Sequence, residues 1–515
     1  MFDKLRSLSR IGVKTPDHPL ADPRELRRVI NEIPADNSFR ALDEIVVWLD
    51  SLHTAADFPI DRLYEAVSRL EDAAQPSLRR LSKDYLHSPR LPGVEEKRLW
   101  SINHDFWTLL AASYERCLQV PGQKTRADEQ LKQILPALSV RLITALGSVG
   151  KWERFHYGTS AGTLWQRLGT IMCLAEEGGV ASRAIRLREG GSGMTSAQQE
   201  FVKIVAFHAA SLDSLLPQEI ELTERLIAHF ASAFYFSPIP EHDCVYWVDL
   251  AQAEPPTRLA RMPSQSVATL RFFKPATAYP GIAALLHDVE QGRDLPSAIN
   301  LGEQYPARTL LLVLRHLAAY LAPVPPQRRH ERYNVKQRAL VAHGLKNACR
   351  ALSGDFALPE AAGQLESWVV ENVSRGGFGA ALNNLPAEWL KVGALIAMQP
   401  QGGSSWLLAV VRRYLRLGES EARVGIETLA HNAEPLEVRT RANASYSASA
   451  PISALMMHEG GVAGEVRLLL PFATFDLRQL LQYEQAGRHF ELSPVAIIEQ
   501  SADYELARYR LNEIA

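Results

Sequence analysis

The chain has 515 residues, enough at roughly 100–200 residues per domain for two to four of them. Its hydrophobic share of 46% and charged share of 22% are those of a soluble globular protein rather than a disordered or fibrous one. A net charge of −2 excludes a polyanion binder working by bulk electrostatics, so any affinity for phosphate has to come from a local cluster.

The four cysteines, Cys117, Cys173, Cys244 and Cys349, are widely spaced and form no CxxC pair. That argues against zinc sites and a disulfide framework and fits a reducing cytosol. The stretch Met1-Phe2-Asp3-Lys4-Leu5-Arg6 lacks the apolar core of a signal peptide. No apolar run approaches the ~20 residues that span a bilayer. The best candidate, Leu310 to Leu321, is broken by Arg315 and His316. The expectation is a cytoplasmic protein with no membrane insertion.

In chain order, residues 1–233 read as a helical domain. Leu42, Ile45, Val46 and Leu49 recur at three- and four-residue steps, and Leu63, Ala66, Val67 and Leu70 repeat the pattern. Breaks such as Ser88-Pro89-Arg90-Leu91-Pro92-Gly93 separate the helices. Residues 234–321 read as a small mixed α/β connecting region. Its strands are short and aromatic (residues 244–250 and 269–273), and its helices are expected at 282–291 and 308–321.

The run Ala322-Pro323-Val324-Pro325-Pro326-Gln327 removes backbone donors and biases preceding residues away from helix, as a linker does. Residues 322–436 then carry six short strand-like segments, 335–342, 368–371, 378–382, 393–398, 406–414 and 423–429, which together suggest a small closed barrel. Residues 437–515 read as a β-rich C-terminal extension, with strands at 466–470, 479–484, 495–499 and 504–511.

Two motifs in this last third carry the functional signal. Arg328-Arg329-His330-Glu331-Arg332 places arginines four apart directly after the prolines, and Asn372-Val373-Ser374-Arg375-Gly376-Gly377 opens a strand-like stretch. Between Arg328 and Arg350 lie seven basic residues (Arg328, Arg329, Arg332, Lys336, Arg338, Lys346, Arg350) and one acid, Glu331, an anion-facing segment in a nearly neutral chain. Guanidinium forks bind phosphate bidentately, reach the guanine O6/N7 edge and stack on purines. Asn372 and Ser374, two apart on an extended chain, point the same way and can accept from a base edge. Gly376 and Gly377 let the backbone turn sharply and approach a ligand closely.

Taken together, these residues resemble RxxxR and [D/N]xSxxG, the paired signature of the PilZ domain, a β-barrel receptor for cyclic di-GMP. The resemblance covers roughly residues 328–430, about a fifth of the chain. It implies a multi-domain α+β protein, with an N-terminal all-helical region, a PilZ-like six-stranded antiparallel β-barrel and the β-rich extension. It also implies that Arg328 and Arg332 engage phosphate and guanine, that Asn372 and Ser374 read the base edge, and that Gly377 allows the close turn. Arg329 and Arg375 are helpers that the motif itself does not require. Asn372 stands where PilZ domains usually carry an acid. The spacing from Arg332 to Asn372 is longer than usual, so that residues 352–364 loop out of the barrel.

The implied function is a non-catalytic second-messenger receptor in bacterial signal transduction. It turns nucleotide binding into a change in partner binding by the helical region. The partner is an unidentified protein of the pilus or motility machinery, with type IV pilus control and surface attachment the first expectation. The alternative is a degenerate PilZ protein acting as a ligand-independent adaptor.

No phosphate loop or HExxH motif is present to support an enzyme. His104-Asp105 and His287-Asp288 are lone pairs in helical sequence, and Gly190-Gly191-Ser192-Gly193 has no strand before it or lysine after it. The expectation is therefore no catalytic residue, no metal and no cofactor beyond the nucleotide ligand. The near-neutral charge also argues against a nucleic-acid partner.

Overall fold

The structure, a computed structural model, describes residues 18–55, 58–88, 91–119, 125–159, 162–187, 193–261, 263–301, 304–324, 326–327, 330–354, 365–385, 389–441, 450–458, 462, 464–501 and 503–514. The chain divides into two compact units: Met1–His156, Ser160–Leu212 and Pro217–Pro326 form one, and Tyr157–Thr159, Asp213–Leu216 and Gln327–Ala515 the other.

The first unit is built on helices α1 Pro23–Glu32, α2 Ser38–Thr54, α3 Ile60–His87, α4 Gly93–Arg116, α5 Thr125–Phe155, α6 Gly162–Glu177, α7 Ala197–Ala209 and α8 Pro217–His229. Local sequence sets where they begin. Asp22 caps α1 by accepting from the Arg24 backbone N–H at 2.8 Å, and Asn37 caps α2 through Arg40 N–H at 3.0 Å. Leu42, Ile45, Leu49 and Leu52 then form the buried stripe of α2, and Leu63, Ala66, Val67, Leu70 and Leu78 that of α3.

A four-stranded antiparallel sheet follows, of β1 Tyr235–Ser237, β2 Tyr246–Asp249, β3 Thr257–Arg258 and β4 Leu270–Lys274, in the order β1-β4-β2-β3. Helices α9 Ala278–Glu290 and α10 Ala307–Tyr320 close the unit.

One helix departs from the sequence reading. Within α5, Glu129–Phe155 is long and apolar enough by composition to cross a membrane, yet most of it is buried inside its own unit. It also carries Arg141, buried against Glu71 at 2.6 Å, and Lys151, which contacts Glu221 at 2.8 Å and Glu224 at 2.6 Å. These internal ion pairs mark a core helix of a globular unit.

On the same helix, burial pushes the Glu153 carboxyl up to about 7, and its Oε2 has no hydrogen-bond partner among the described residues. An unfolded chain loses that proton near 4.5, so folding stability falls as pH rises from about 4.5 to 7. Glu153→Gln is expected to raise the stability of the helical unit by about 1–2 kcal/mol at pH 8 and to leave it unchanged at pH 4. Thermal melts followed by circular dichroism at both pH values test this.

The second unit contains two barrels. The first is formed by β5 Tyr333–His343, β6 Glu366–Ser374, β7 Gly377–Leu382, β8 Leu395–Pro400, β9 Leu407–Arg416 and β10 Ala422–Ala430, closed and antiparallel in the order β8-β9-β10-β7-β6-β5. Inward residues alternate along each strand: Ala339 and Val341, Trp368 and Val370, Ala380 and Leu382, Ile396 and Met398, Ala409 and Val411, Val424 and Ile426. Tyr157 joins this core, with its ring 4.9 Å from that of Tyr414.

Helix α11, Gly344–Ser353, interrupts the sequence between β5 and β6. Lys346 and Arg350, read from sequence as part of one basic segment, therefore lie on a helix and not on the strand that carries Lys336 and Arg338. Gly344, at φ 79°, turns the chain out of the strand, and Leu345, Ala348 and Ala351 then bury one face of the helix. Of the sequence-expected loop at 352–364, residues 355–364 lie outside the described residues.

The C-terminal part is a second closed six-stranded barrel: β11 Glu434–Thr440, β12 Ile452–Met457, β13 Glu465–Pro471, β14 Leu481–Gln485, β15 Arg488–Gln500 and β16 Tyr504–Ile514. Its order β11-β12-β13-β16-β15-β14 repeats the connectivity of the first barrel strand for strand, with the first three strands in sequence order and the last three reversed. Strands β11 and β12 were not anticipated from sequence.

The two barrels share an apolar seam. Leu345, Leu395, Leu408 and Val410 from the first meet Leu455, Met457, Leu469, Tyr504 and Leu506 from the second.

Candidate functional site

Among the described residues, those singled out in sequence gather at one hairpin of the first barrel and at the start of β5. Strands β6 and β7 are joined by a two-residue turn, Arg375-Gly376, closed by the Ser374–Gly377 pair. The Ser374 hydroxyl donates to the Gly377 carbonyl at 3.2 Å, which leaves its lone pairs to accept from a ligand. Asn372-Val373-Ser374 therefore closes β6, where the sequence reading had it opening a strand.

Strand β5 starts beside this hairpin, with Tyr333 opposite Val373 and Asn334 opposite Asn372. One step further back, that register brings exposed Arg332 to the level of Ser374. The His330 ring flanks the turn, so that a Cβ on Gly376 would lie 3.4 Å from its Cδ2. The structure thus gathers Arg332, Asn372, Ser374, Arg375 and Gly377. Arg328 and Arg329 lie outside the described residues.

Side-chain direction on β6 depends on a bulge. Val370 pairs with Ala380 and Asn372 with Gly379, so Glu371 is an extra residue without a partner on β7. Strict alternation would place Asn372 on the inner face with Val370. The bulge turns it outward, together with Ser374. Glu371 itself reaches Arg423 at 3.7 Å on the outer face.

Two glycines make room for the outward carboxamide and the tight hairpin. A Cβ on Gly379 would lie 2.5 Å from Asn372 Nδ2 and 2.7 Å from Oδ1, so the amide of Asn372 lies across Gly379. A Cβ on Gly377 would fall on the carbonyl oxygen of Ile426 in β10, well inside contact distance. Gly379 and its companion Gly425 were missed by sequence reasoning. The alternation of glycine with apolar residues in Gly377-Phe378-Gly379 and Val424-Gly425-Ile426 was the available signal.

The other constellations weighed from sequence do not assemble. His104 stacks on Trp100 with ring centroids 4.6 Å apart, and Asp288 pairs with Arg293 at 2.8 Å. Among the described residues, no group of three or more His, Cys, Asp or Glu side chains is placed to hold a metal ion. Gly190, Gly191 and Ser192 lie outside the described residues.

Comparison with known proteins adds two matches. Residues 24–241 match the family model for the cyclic-di-GMP receptor FimW, N-terminal domain, and residues 359–435 match that for the cyclic-di-GMP receptor FimW, middle PilZ domain. The second match starts after β5, so Arg332 and the strand that completes the barrel lie upstream of it. No curated protein and no solved structure matches the chain.

Proposed function

The chain belongs to the FimW family of cyclic-di-GMP receptors, with a PilZ barrel in its middle, and on that premise we propose that the messenger binds where the arm before β5 meets the β6–β7 hairpin. The observation that carries this reading is the register of Tyr333 with Val373, which, continued one step, brings Arg332 level with Ser374, two residues along β6 from Asn372.

In this reading Arg328 and Arg332 engage phosphate and the guanine O6/N7 edge through bidentate, charge-assisted bonds. The Asn372 carbonyl accepts from guanine N1–H and N2–H, Ser374 adds a second acceptor, and Gly377 keeps the backbone close. Arg375, exposed at the turn, and Arg329 assist with phosphate.

The protein performs no chemistry on the nucleotide. Binding changes how the helical region engages a protein partner in the cytoplasm, and the output is control of type IV pili, motility or surface attachment.

Calorimetric titration of cyclic di-GMP into the full-length protein tests the site. Micromolar or tighter binding is expected for the wild type and none for GTP. Arg332→Ala or Asn372→Ala is expected to weaken binding roughly tenfold to a hundredfold, the worth of one or two charge-assisted or buried hydrogen bonds. Wild-type affinity retained in both variants would place the ligand elsewhere. No binding by folded wild-type protein would favour the ligand-independent adaptor.

A further inference from the structure

An arginine two strands beyond the hairpin approaches the motif on the same face of the sheet. On β9, Val411 pairs with inward Ile426 and Arg413 pairs with Gly425, so Arg412 is an extra residue, as Glu371 is on β6. Without this bulge Arg413 would share the inner face with Val411. With it, Arg413 is turned outward. Gly425 also pairs with Gly379, and Gly379 with Asn372. One cross-strand row therefore reads Asn372, Gly379, Gly425, Arg413 over strands β6, β7, β10 and β9.

The two middle residues of this row have no side chains, and the two outer ones fold over them. A Cβ on Gly425 would lie 3.2 Å from Arg413 Cβ, 3.5 Å from its Cγ and 3.6 Å from its Cδ, so the arginine stem lies along Gly425 as the Asn372 amide lies across Gly379. Adjacent strands are about 4.8 Å apart. The carboxamide and the arginine stem are thus close neighbours on the outer face, within the span of a single purine.

Resting on the receptor reading, we propose that Arg413 is a specificity-determining residue of the messenger site. It donates to guanine O6/N7 while the Asn372 carbonyl accepts from N1–H and N2–H of the same base. The pair reads a guanine edge completely. It also disfavours adenine, which presents an N6 amino donor where guanine has O6, facing a guanidinium that has only donors.

Asp213 is the built-in competitor. Its Oδ2 lies 3.6 Å from Arg413 Nη1 in a pair whose arginine side chain is 47% exposed. Such a contact is worth little in water, and a base edge offering two acceptors displaces it. Arg413 thereby links nucleotide occupancy to the segment Asp213–Leu216, which the chain contributes to this unit from between α7 and α8.

The test uses the full-length protein with cyclic di-GMP and cyclic di-AMP, measured by calorimetry and by competition. Arg413→Met keeps the apolar stem over Gly425 and removes the donors. It is expected to lose roughly tenfold to a hundredfold in cyclic di-GMP affinity with cyclic di-AMP affinity equal to or above that of the wild type. Asp213→Asn is expected to tighten cyclic di-GMP binding severalfold, and to do nothing in the Arg413→Met background.

Cyclic di-GMP affinity within twofold of wild type in Arg413→Met, with binding lost in Asn372→Ala, overturns this role and leaves the receptor reading standing. Failure of the wild type to bind overturns both. Should Arg413→Met not fold, Asp213→Asn decides: unchanged or weaker binding overturns the proposal.

Discussion

Gly377→Ala is expected to destabilise the first barrel by about 3 kcal/mol and to abolish messenger binding. The cause is steric and local. Gly377 pairs with Ser374 on one side and Glu427 on the other, and a methyl group there would fall on the Ile426 carbonyl oxygen. Both the obstacle and the glycine are strand backbone, so relief requires β7 and β10 to part, and forced overpacking of this kind costs about 1–3 kcal/mol or more. Parting them also moves Ser374, whose hydroxyl bonds to the Gly377 carbonyl, and tilts the turn that holds Arg375. Chemical denaturation followed by tryptophan fluorescence, alongside titration, reads both losses. Near-wild-type stability with intact binding would show that the strands yield without cost and would remove Gly377 from the site's requirements.

Arg141→Met is expected to cost about 3–5 kcal/mol in the helical unit, as breaking a buried ion pair does when one charge stays behind. Glu71 is almost fully buried and receives Arg141 Nη1 at 2.6 Å and the Tyr114 hydroxyl at 2.5 Å. Arg141 also holds Asp72 at 3.2 Å and the Leu187 carbonyl at 2.8 Å. The methionine fills much of the volume but takes the Arg141 guanidinium away from the buried Glu71 carboxylate. Adding Glu71→Gln or Glu71→Met to the first change is expected to recover most of the loss, which separates an orphaned charge from simple mispacking. Thermal melts of the two single variants and the double variant supply the cycle. Additive losses would show that the two side chains stabilise the unit independently.

The barrel strands were legible because alternation along them is regular. Ala380 and Leu382, or Val424 and Ile426, announce an inner face with nothing but period two. Of the candidate site, sequence offered the arginine and Asn-x-Ser motifs and the shared face of Asn372 and Ser374 two apart, a shared face that the strand pairing keeps. The outward turn of Asn372 was not legible, because it depends on Glu371 having no partner on β7, and pairing belongs to a neighbouring strand rather than to local composition. Arg413 was hidden for the same reason. A strict period of two places it with inward Val411, and only the unpaired Arg412 brings it outside. Helix α11 escaped notice because its ten residues follow a β-branched strand without a break other than Gly344. Strand β11 follows β10 after only three residues, and the sequence reading, which ended its strand at 429, passed over it.

The seam between the barrels has a practical reading. Leu395, Leu408 and Val410 of the first barrel lie in one buried cluster with Leu455, Met457 and Leu506 of the second, and α11 adds Leu345 to it. A nucleotide barrel severed from its twin near residue 433 would take that greasy wall into water, where exposed patches of this kind drive self-association. The receptor module is thus not a detachable bead on a string. One barrel bears the Asn-x-Ser motif, the other lies over its apolar wall, and Tyr157, supplied from between α5 and α6, completes the core of the first.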